Sequence, residues 1–309
     1  MSHIEQIVFE RNLKLLNREV INGAHAGRIE RIKVLDEENQ TSSYIYKEFA
    51  TDRNNEIDIY SILSDYIKPF SKLVKVWDSS PEAILMSDLR SPIKKDFELL
   101  SKKNKRKLMD CILHRLAELH SVNYSQMTNE LPSHQITSEW YEWCLEQINR
   151  LFSQNHWTNL DWIKTIEDSY VQLDITNYQQ RSPSVITHGD PHFENIFLHD
   201  EEIWFIDWEW AATGSPLRDI TILLQDLYDS ELVQYVSESY RKILKNYNLH
   251  INSVDYRRDL HYMYIDHSTM MLAWEIEKFF QGYTSEEKIK NIINFKIREI
   301  RRITCEELS

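Results

Sequence analysis

The segment that decides the fold is Val185-Ile-Thr-His-Gly-Asp-Pro-His-Phe-Glu-Asn-Ile-Phe-Leu198, followed closely by Ile203-Trp-Phe-Ile-Asp-Trp-Glu209. An apolar strand runs into His-Gly-Asp, which ends at Asp190, and Asn195 precedes a second apolar strand. A short turn leads to a third apolar strand that ends at Asp207. Since the last two strands form a predicted hairpin, the loop with Asp190 and Asn195 should lie beside Asp207. The sequence therefore predicts that three polar side chains face one cleft.

These side chains are the groups that phosphoryl transfer requires. The reaction asks the protein for little covalent chemistry, because it depends on positioning and on neutralising charge. One carboxylate accepts the proton of the attacking hydroxyl group. A second carboxylate and an amide oxygen hold magnesium, a hard ion that prefers oxygen ligands. The pattern therefore predicts an enzyme that phosphorylates a hydroxyl group.

Four motifs together resemble those of a known family. The segments HGDPHFEN (residues 188–195) and IDWE (residues 206–209) resemble the catalytic and metal-binding motifs of the aminoglycoside phosphotransferase and choline kinase superfamily. Leu116-Ala-Glu-Leu-His120 resembles the family's helix before the catalytic loop, and Gly214-Ser-Pro-Leu-Arg-Asp219 resembles its G-x-P-x-x-D segment. The resemblance covers most of the chain, in the family's order. It implies an α+β, bilobal protein-kinase-like fold.

The resemblance also implies a role for each motif residue. Asp190 would be the catalytic base, and Asn195 and Asp207 would be ligands of Mg²⁺. His188 would support the catalytic loop through hydrogen bonds, a role that nearly coincides with that of an ordinary core histidine. Asp219 would tie the same loop down as structural support.

Nucleotide binding is predicted for several residues in the first part of the chain. By its family position, the ammonium of Lys47 would hold the phosphates of ATP or GTP, whereas the alternative is an outward lysine on a half-exposed strand. Glu56 on the following predicted helix would hold Lys47 in place. Gly23 and Gly27 would belong to a loop that covers the phosphates, although an ordinary hairpin turn explains them nearly as well. Met86 lies in the expected hinge, where adenine would bind the backbone.

The acceptor is the least determined part of the prediction. Relatives build the acceptor pocket from the helical lobe, and the candidates in this chain are Trp274, Glu275, Trp210 and Glu142. Aromatic faces and carboxylates suit an ammonium group, but tryptophans often fill cores and helical glutamates often face solvent. HGDPHFEN resembles the aminoglycoside branch more closely, whereas IDWE followed by an aromatic residue resembles the choline and ethanolamine branch. An aminoglycoside phosphotransferase-like kinase is therefore predicted, with a choline, ethanolamine or sugar kinase as the alternative.

Hydrophobic periodicity agrees with two lobes. Residues 1–87 are predicted as a small β-rich nucleotide-binding lobe with the order β, β, β, α, β, β, beginning with a strand at 19–22. Residues 88–309 are predicted as a large helical lobe with the catalytic loop and the acceptor site, and the hinge lies at about 86–91. The predicted helices of the large lobe are 99–122, 138–152, 160–173 and the region from 219 onward.

Composition limits the partners. Of 309 residues, 42% are hydrophobic and 28% are charged, as in ordinary globular proteins. The net charge of -13 disfavours nucleic acid and suits a cationic acceptor, although it can also serve solubility alone. Three cysteines without a CxxC pair fit a reducing cytosol, and neither a signal peptide nor an apolar run of ~20 residues occurs. We therefore expect a cytoplasmic protein that binds neither nucleic acid nor a membrane.

Two further alternatives concern the class of the protein. A non-catalytic binding or structural member of the fold would have broken catalytic positions, whereas Lys47, Asp190, Asn195 and Asp207 are all present. A protein kinase would carry D-F-G and A-P-E motifs, and neither occurs here. The step from Asp207 to Asp219 is only 12 residues, which leaves little room for an activation loop.

Overall fold

The structure is a computed structural model that describes residues 2–21, 27–50, 55–124 and 131–309. Its helices are α1 (His3–Glu10), α2 (Asn55–Ile67), α3 (Lys94–Phe97), α4 (Lys102–His120), α5 (Glu139–Gln154), α6 (Asp161–Leu173), α7 (Leu217–Leu223), α8 (Ser230–Leu244), α9 (Ser253–Phe280) and α10 (Glu286–Leu308). Its strands are β1 (Lys14–Ile21), β2 (Arg28–Leu35), β3 (Thr41–Glu48), β4 (Leu73–Trp77), β5 (Ala83–Ser87), β6 (Val185–Thr187), β7 (Ile196–His199), β8 (Glu202–Phe205) and β9 (Ala212–Gly214).

The chain divides into two compact units, Met1–Glu98 with Glu194–Trp210 and Leu99–Phe193 with Ala211–Ser309. The first unit thus contains a hairpin, β7–β8, that lies far along the chain. This hairpin belongs there because Phe197 and Trp204 pack against Leu89 in a small apolar cluster. The division into lobes at 1–87 and 88–309 stays a prediction.

The first unit is built on a five-stranded antiparallel sheet with the strand order β1-β2-β3-β5-β4. Side chains on a strand alternate between its two faces, and Ile32 and Val34 of β2 both point into the core. They meet Ile4 and Ile7 of α1 and Trp77 of β4 in one buried cluster. The predicted order of three strands, a helix and two strands is present.

The N-terminal helix α1 is a feature that the sequence-based description of a β-rich start missed. Ser2 and Glu5 form a capping box at its beginning, and Ile4 and Ile7 on one face are buried. A helix of 8 residues shows barely two turns of periodicity, so its pattern is weak. The strand predicted at 19–22 was also too short, because β1 begins at Lys14.

The second unit is helical, with one small strand pair, β6–β9. α9 packs against α5, α7 and α10, and α4 packs against α8. The helices predicted at 99–122, 138–152 and 160–173 are present as α4, α5 and α6 with slightly different ends. No helix in the part of the chain that the structure describes is both long and apolar enough to cross a bilayer.

Candidate active site

The β7–β8 hairpin brings two of the predicted site residues together. Ile196 in β7 lies opposite Phe205 in β8, as the sequence predicted for this turn. Asn195 directly precedes β7, and its carbonyl oxygen accepts a hydrogen bond of 3.1 Å from the backbone N–H of Ile206. Asp207 is the next residue along the chain. The amide of Asn195 and the carboxylate of Asp207 therefore project from the same end of one hairpin.

The backbone of Asp207 adopts an unusual conformation. Its φ angle is 66°, in the left-handed region that Asp and Asn tolerate better than most residues. Such a conformation costs on the order of 1 kcal/mol and persists only where the surroundings fix it. One fixing contact is visible, since Asp207 Oδ1 lies 2.9 Å from Lys47 Nζ.

Lys47 lies between two carboxylates. It occupies β3, opposite Ile84 of β5, and its Nζ lies 2.6 Å from Glu56 Oε2 and 2.9 Å from Asp207 Oδ1. The pairing of Lys47 with Glu56 that the sequence predicted is present. The ammonium also lies 5.0 Å from the centre of the Phe49 ring, a cation–π contact. Asp207 as a second partner of Lys47 was not predicted.

This cluster carries more negative than positive charge. Burial alone would lower the pKa of Lys47, but Glu56 and Asp207 outweigh it and hold that pKa above its ordinary value. Burial raises the pKa of Glu56 to about 7; Lys47 opposes this shift, and Asp207 and Glu209 add to it. Since like charges repel, a cation bound at Asp207 would stabilise the cluster.

The catalytic loop of the second unit is held by one buried carboxylate. The backbone N–H groups of His188 and Gly189 each donate to Asp219 at 2.8 Å. His188 is fully buried, and its Nδ1 accepts a hydrogen bond of 3.2 Å from the N–H of Asp190. Gly189 has a φ of 87°, a conformation that favours glycine. The side chains of Asp219 and His188 thus accept hydrogen bonds from the backbone of residues 188–190, as expected for residues that support this loop.

Asp219 is itself fixed by a series of hydrogen-bonded side chains that sequence analysis did not identify. His120 Nε2 lies 2.9 Å from Asp219 Oδ2, and His120 Nδ1 is hydrogen-bonded to the hydroxyl of Tyr240. Burial raises the pKa of Asp219, but His120, His188 and Arg218 together lower it below its usual value. Asp219 is therefore a charged carboxylate that joins the loop to α4 and α8.

Asp226 is a second anchor that sequence analysis missed. Its Oδ2 accepts a hydrogen bond of 2.6 Å from the N–H of Phe193, three residues beyond Asp190. Asp226 follows Asp219 by seven residues and lies in the 3₁₀ turn Leu224–Asp226 after α7, so α-helical spacing did not predict it.

Asp259 on α9 fixes a third segment of the second unit. It is fully buried and accepts from the Tyr178 hydroxyl at 2.6 Å, from Arg181 N at 2.8 Å and from Ser182 N at 2.9 Å. The hydroxyls of Ser182 and Ser215 also donate to it. Ser215 lies just before α7, which carries Asp219. Asp259 thus holds the beginning of α7 against α9. No local sequence motif predicted this role.

The other predicted nucleotide-binding residues are Gly23, Gly27 and Met86, and each is in a different structural setting. Gly23 lies outside the described residues. At Gly27 a side chain would come within 3.0 Å of Glu48 O and 3.1 Å of Ala50 N, so the close approach of two strands explains this glycine. Met86 is a buried residue of β5. Nucleotide contacts of Gly23, Gly27 and Met86 stay predictions.

The four candidate acceptor residues do not form one group. Trp274 on α9 is 39% exposed, and its ring packs edge-to-face on Trp143 of α5 with the centroids 5.0 Å apart. Glu142 on α5 is exposed, whereas Glu275 is buried and forms an ion pair of 3.1 Å along α9. Trp210 is exposed and belongs to the first unit. Acceptor contacts of Trp274, Glu275, Trp210 and Glu142 stay predictions.

The donor chemistry of the hairpin fits Mg²⁺. Among the described residues, no three or more His, Cys, Asp or Glu side chains form a cage for a metal ion. Mg²⁺ does not need such a cage, because it is commonly held by one or two carboxylates together with substrate phosphates and waters. Asn195 and Asp207 supply an amide oxygen and a carboxylate of this kind.

Comparison with known proteins agrees with this architecture. The choline kinase LicA from Streptococcus pneumoniae has a similar structure, with a TM-score of 0.57 at 16% identity over 97% of this chain and 100% of that chain. Spectinomycin phosphotransferase APH(9)-Ia, solved with ADP and spectinomycin, has a TM-score of 0.62 at 14% identity over 97% and 99%. The predicted α+β kinase-like fold is thereby confirmed.

Sequence comparison gives a shorter match and a family. Protein LicA of Haemophilus influenzae is 35% identical over 54 residues, 17% of this chain, so the match spans about a fifth (20%) of the curated relative's length. The profile of the phosphotransferase enzyme family, APH, matches residues 48–250, which include the catalytic loop and the hairpin. The predicted family and enzyme class are thereby confirmed. The chain belongs to the phosphotransferase enzyme family.

Proposed function

We propose that this protein is a small-molecule kinase that transfers the γ-phosphate of ATP or GTP to a hydroxyl group of a small acceptor. The observation that carries the proposal is the position of Lys47, 2.6 Å from Glu56 and 2.9 Å from Asp207. An ammonium fixed by carboxylates is suited to the phosphates of a nucleotide, and the adjacent Asp207 is suited to the metal that accompanies them.

Each side chain then has one task. Asp190 accepts the proton of the attacking hydroxyl group, and Lys47 binds the phosphates. Mg²⁺, held by Asn195 and Asp207, would neutralise charge on the transferring phosphoryl group. The hydrogen bonds from His188 and Gly189 to Asp219 keep the backbone next to Asp190 in one conformation.

The proposed acceptor is a cationic hydroxyl compound of the aminoglycoside class. The chain has a net charge of -13, which attracts cations. Its catalytic segment HGDPHFEN also resembles the aminoglycoside branch of the family. A polyamine sugar offers both the positive charge and the hydroxyl groups.

Choline or ethanolamine is the second candidate acceptor, and a separate observation favours it. Trp143 and Trp274 meet edge-to-face at 5.0 Å, close in sequence to the exposed carboxylate of Glu142. Aromatic rings with a carboxylate bind quaternary ammonium groups through cation–π attraction. The similar structure of a choline kinase supports the same acceptor class.

A panel of acceptors with labelled ATP and GTP tests the proposal. We expect Mg²⁺-dependent transfer to at least one cationic alcohol, abolished by EDTA. Asp190→Asn should lower the rate by about 10²- to 10⁴-fold, because it keeps the shape and removes the base. Asp200→Asn is the matched control, since Asp200 is an exposed hairpin residue.

The outcomes separate the candidates. Transfer to choline or ethanolamine but to no aminoglycoside would assign the second acceptor class. Full activity of Asp190→Asn would remove Asp190 as the base. Nucleotide binding without transfer to any acceptor would instead support a non-catalytic member of the fold, and a thermal-shift measurement would detect that binding.

A further inference from the structure

A large cleft lies in the second unit between α8, α9 and α10. Its volume is about 1010 Å³, at the upper end of the range for small-molecule sites. Val233, Leu260 and Ile303 supply apolar surface from the three helices, and Tyr264 also lines it. Neither Asp190 nor any other residue of the catalytic loop lines it. We call it the α8–α10 cleft.

Positive side chains gather along one side of the α8–α10 cleft. Arg241, Lys242 and Lys245 lie at the end of α8 and just after it, and Arg257 lies in the first turns of α9. Within the described part of the chain, the first three form no ion pair with a carboxylate. Arg257 has a long contact of 3.7 Å to Glu307. Four cations with so little compensation are unusual in a chain with a net charge of -13.

The carboxylates along the opposite wall already have partners. Glu299 and Glu306 lie 3.1 Å and 2.7 Å from Arg302. Glu307, beside this wall, lies 2.7 Å from His261. These acids are therefore paired within their own wall. Glu238, which lines the cleft one turn before Arg241 and Lys242, accepts a hydrogen bond of 2.9 Å from Gln234. The cations at the end of α8 thus remain available to an anion.

One residue of this cationic group has a buried polar atom without a partner. Arg241 Nε has no hydrogen-bond partner among the described residues, and Arg241 lines the α8–α10 cleft. A buried donor without a partner costs about 1–3 kcal/mol, and a small movement of the Arg241 side chain would let a molecule in the cleft offset that cost.

We propose that the α8–α10 cleft is a second binding site, for a small organic phosphate monoester. Its phosphate would lie among Arg241, Lys242, Lys245 and Arg257, because a dianion with three acceptor oxygens can use several diverging donors at once. Its organic part would contact the apolar residues of the three helices. This site goes beyond the proposed kinase activity and does not depend on it.

Calorimetric titration with phenyl phosphate tests the site. The titration is made with saturating Mg-ADP, so that phosphate binding near Lys47 is blocked. The variant is Arg241→Gln with Lys245→Gln, and we expect its Kd to rise about tenfold or more. Lys103→Gln with Lys107→Gln is the matched control, since it removes the same charge from exposed positions of α4. The control should keep the native Kd.

Further probes define what the cleft recognises. Phenol carries the ring without the charge and should not bind measurably, and inorganic phosphate should bind more weakly than phenyl phosphate. Circular dichroism checks that every variant is folded.

Several results would overturn the site. One is the absence of phenyl phosphate binding to the native protein. Another is an equal loss of affinity in the Arg241→Gln, Lys245→Gln variant and in the Lys103→Gln, Lys107→Gln control, which would mean a general effect of charge. A third is unchanged binding in the Arg241→Gln, Lys245→Gln variant. All of them are measured as binding, so they can be told apart from a failure of the kinase proposal.

Discussion

Glu56 in the first unit and Asp219 in the second are both buried carboxylates, yet their surroundings shift their acidity in opposite directions. Burial raises the pKa of Glu56 to about 7, and Lys47, which opposes this shift, is shared with Asp207. Asp219 accepts from two fixed backbone N–H groups and from His120, and its pKa stands below the usual value.

The difference shows what each carboxylate is built to do. Backbone donors cannot move away, so Asp219 remains ionised and the loop next to Asp190 remains fixed. The Lys47 ammonium is held by two flexible side chains instead, and one oxygen of Glu56 has no hydrogen-bond partner among the described residues. In the proposed kinase, a bound phosphate and its metal would change the contacts of Lys47 with Glu56 and Asp207. They would not change the hydrogen bonds to Asp219.

Removing Asp219 should have the largest effect on stability. Asp219→Ala leaves the N–H groups of His188 and Gly189 and the ring of His120 without their acceptor in the interior. We expect the free energy of unfolding to fall by about 3–5 kcal/mol, measured by urea unfolding. Asp168→Ala, which removes an exposed helical ion pair, is the control and should change it by less than about 1 kcal/mol. Similar losses in both variants would contradict the anchoring role.

Removing Lys47 should have a smaller effect that depends on pH. At pH 6 most Glu56 is protonated, since its pKa is about 7, and at pH 8 it is ionised and needs Lys47. Lys47→Ala should therefore lower the free energy of unfolding by up to about 1.4 kcal/mol more at pH 8 than at pH 6, because its loss lets Glu56 keep a proton over the whole interval. In Lys47→Ala, Glu56→Gln the extra loss should disappear. An equal loss at both pH values would show that Glu56 does not titrate in this range.

Asp266 on α9 sharpens the comparison, because Tyr170 is its only side-chain donor among the described residues. Tyr170 donates to it at 2.8 Å, and burial raises its pKa from 3.8 to about 7. Between these values the folded protein keeps a proton that the unfolded chain loses, so stability falls as pH rises, by up to about 1.4 kcal/mol per unit.

Asp266→Asn should remove the share of this dependence that Asp266 contributes, whereas the share of Glu56 should remain. Urea unfolding at pH 5 and pH 6 measures it, and Asp168→Asn is the exposed control. If the native protein and Asp266→Asn lose stability equally between those values, Asp266 is ionised in the folded state.

Local sequence predicted the parts of the site that local structure builds. The β7–β8 hairpin follows from two apolar strands and a polar turn, and it places Asn195 and Asp207 together. The support of the catalytic loop by Asp219 and the pair of Lys47 with Glu56 came from the family's motifs. In each case the residues that matter lie in or next to a regular element whose pattern is visible.

Contacts between distant segments were beyond sequence analysis. Asp259 is held by donors 77 and 78 residues away, and nothing near it signals a buried carboxylate. α9 was placed only within a broad helical region, because many of its residues are buried on all sides and it lacks one apolar face. The acceptor candidate Glu275 proved buried for the same reason.

The place of the β7–β8 hairpin in the first unit has a consequence for biosynthesis. Lys47 and Asp207 are 160 residues apart. A nascent chain of which only the first 98 residues have left the ribosome therefore lacks Asp207, the partner of Lys47. Leu89 then remains uncovered for roughly ten seconds of translation, until Trp204 emerges from the ribosome. The surroundings of Lys47 are thus completed only after most of the polypeptide has been made.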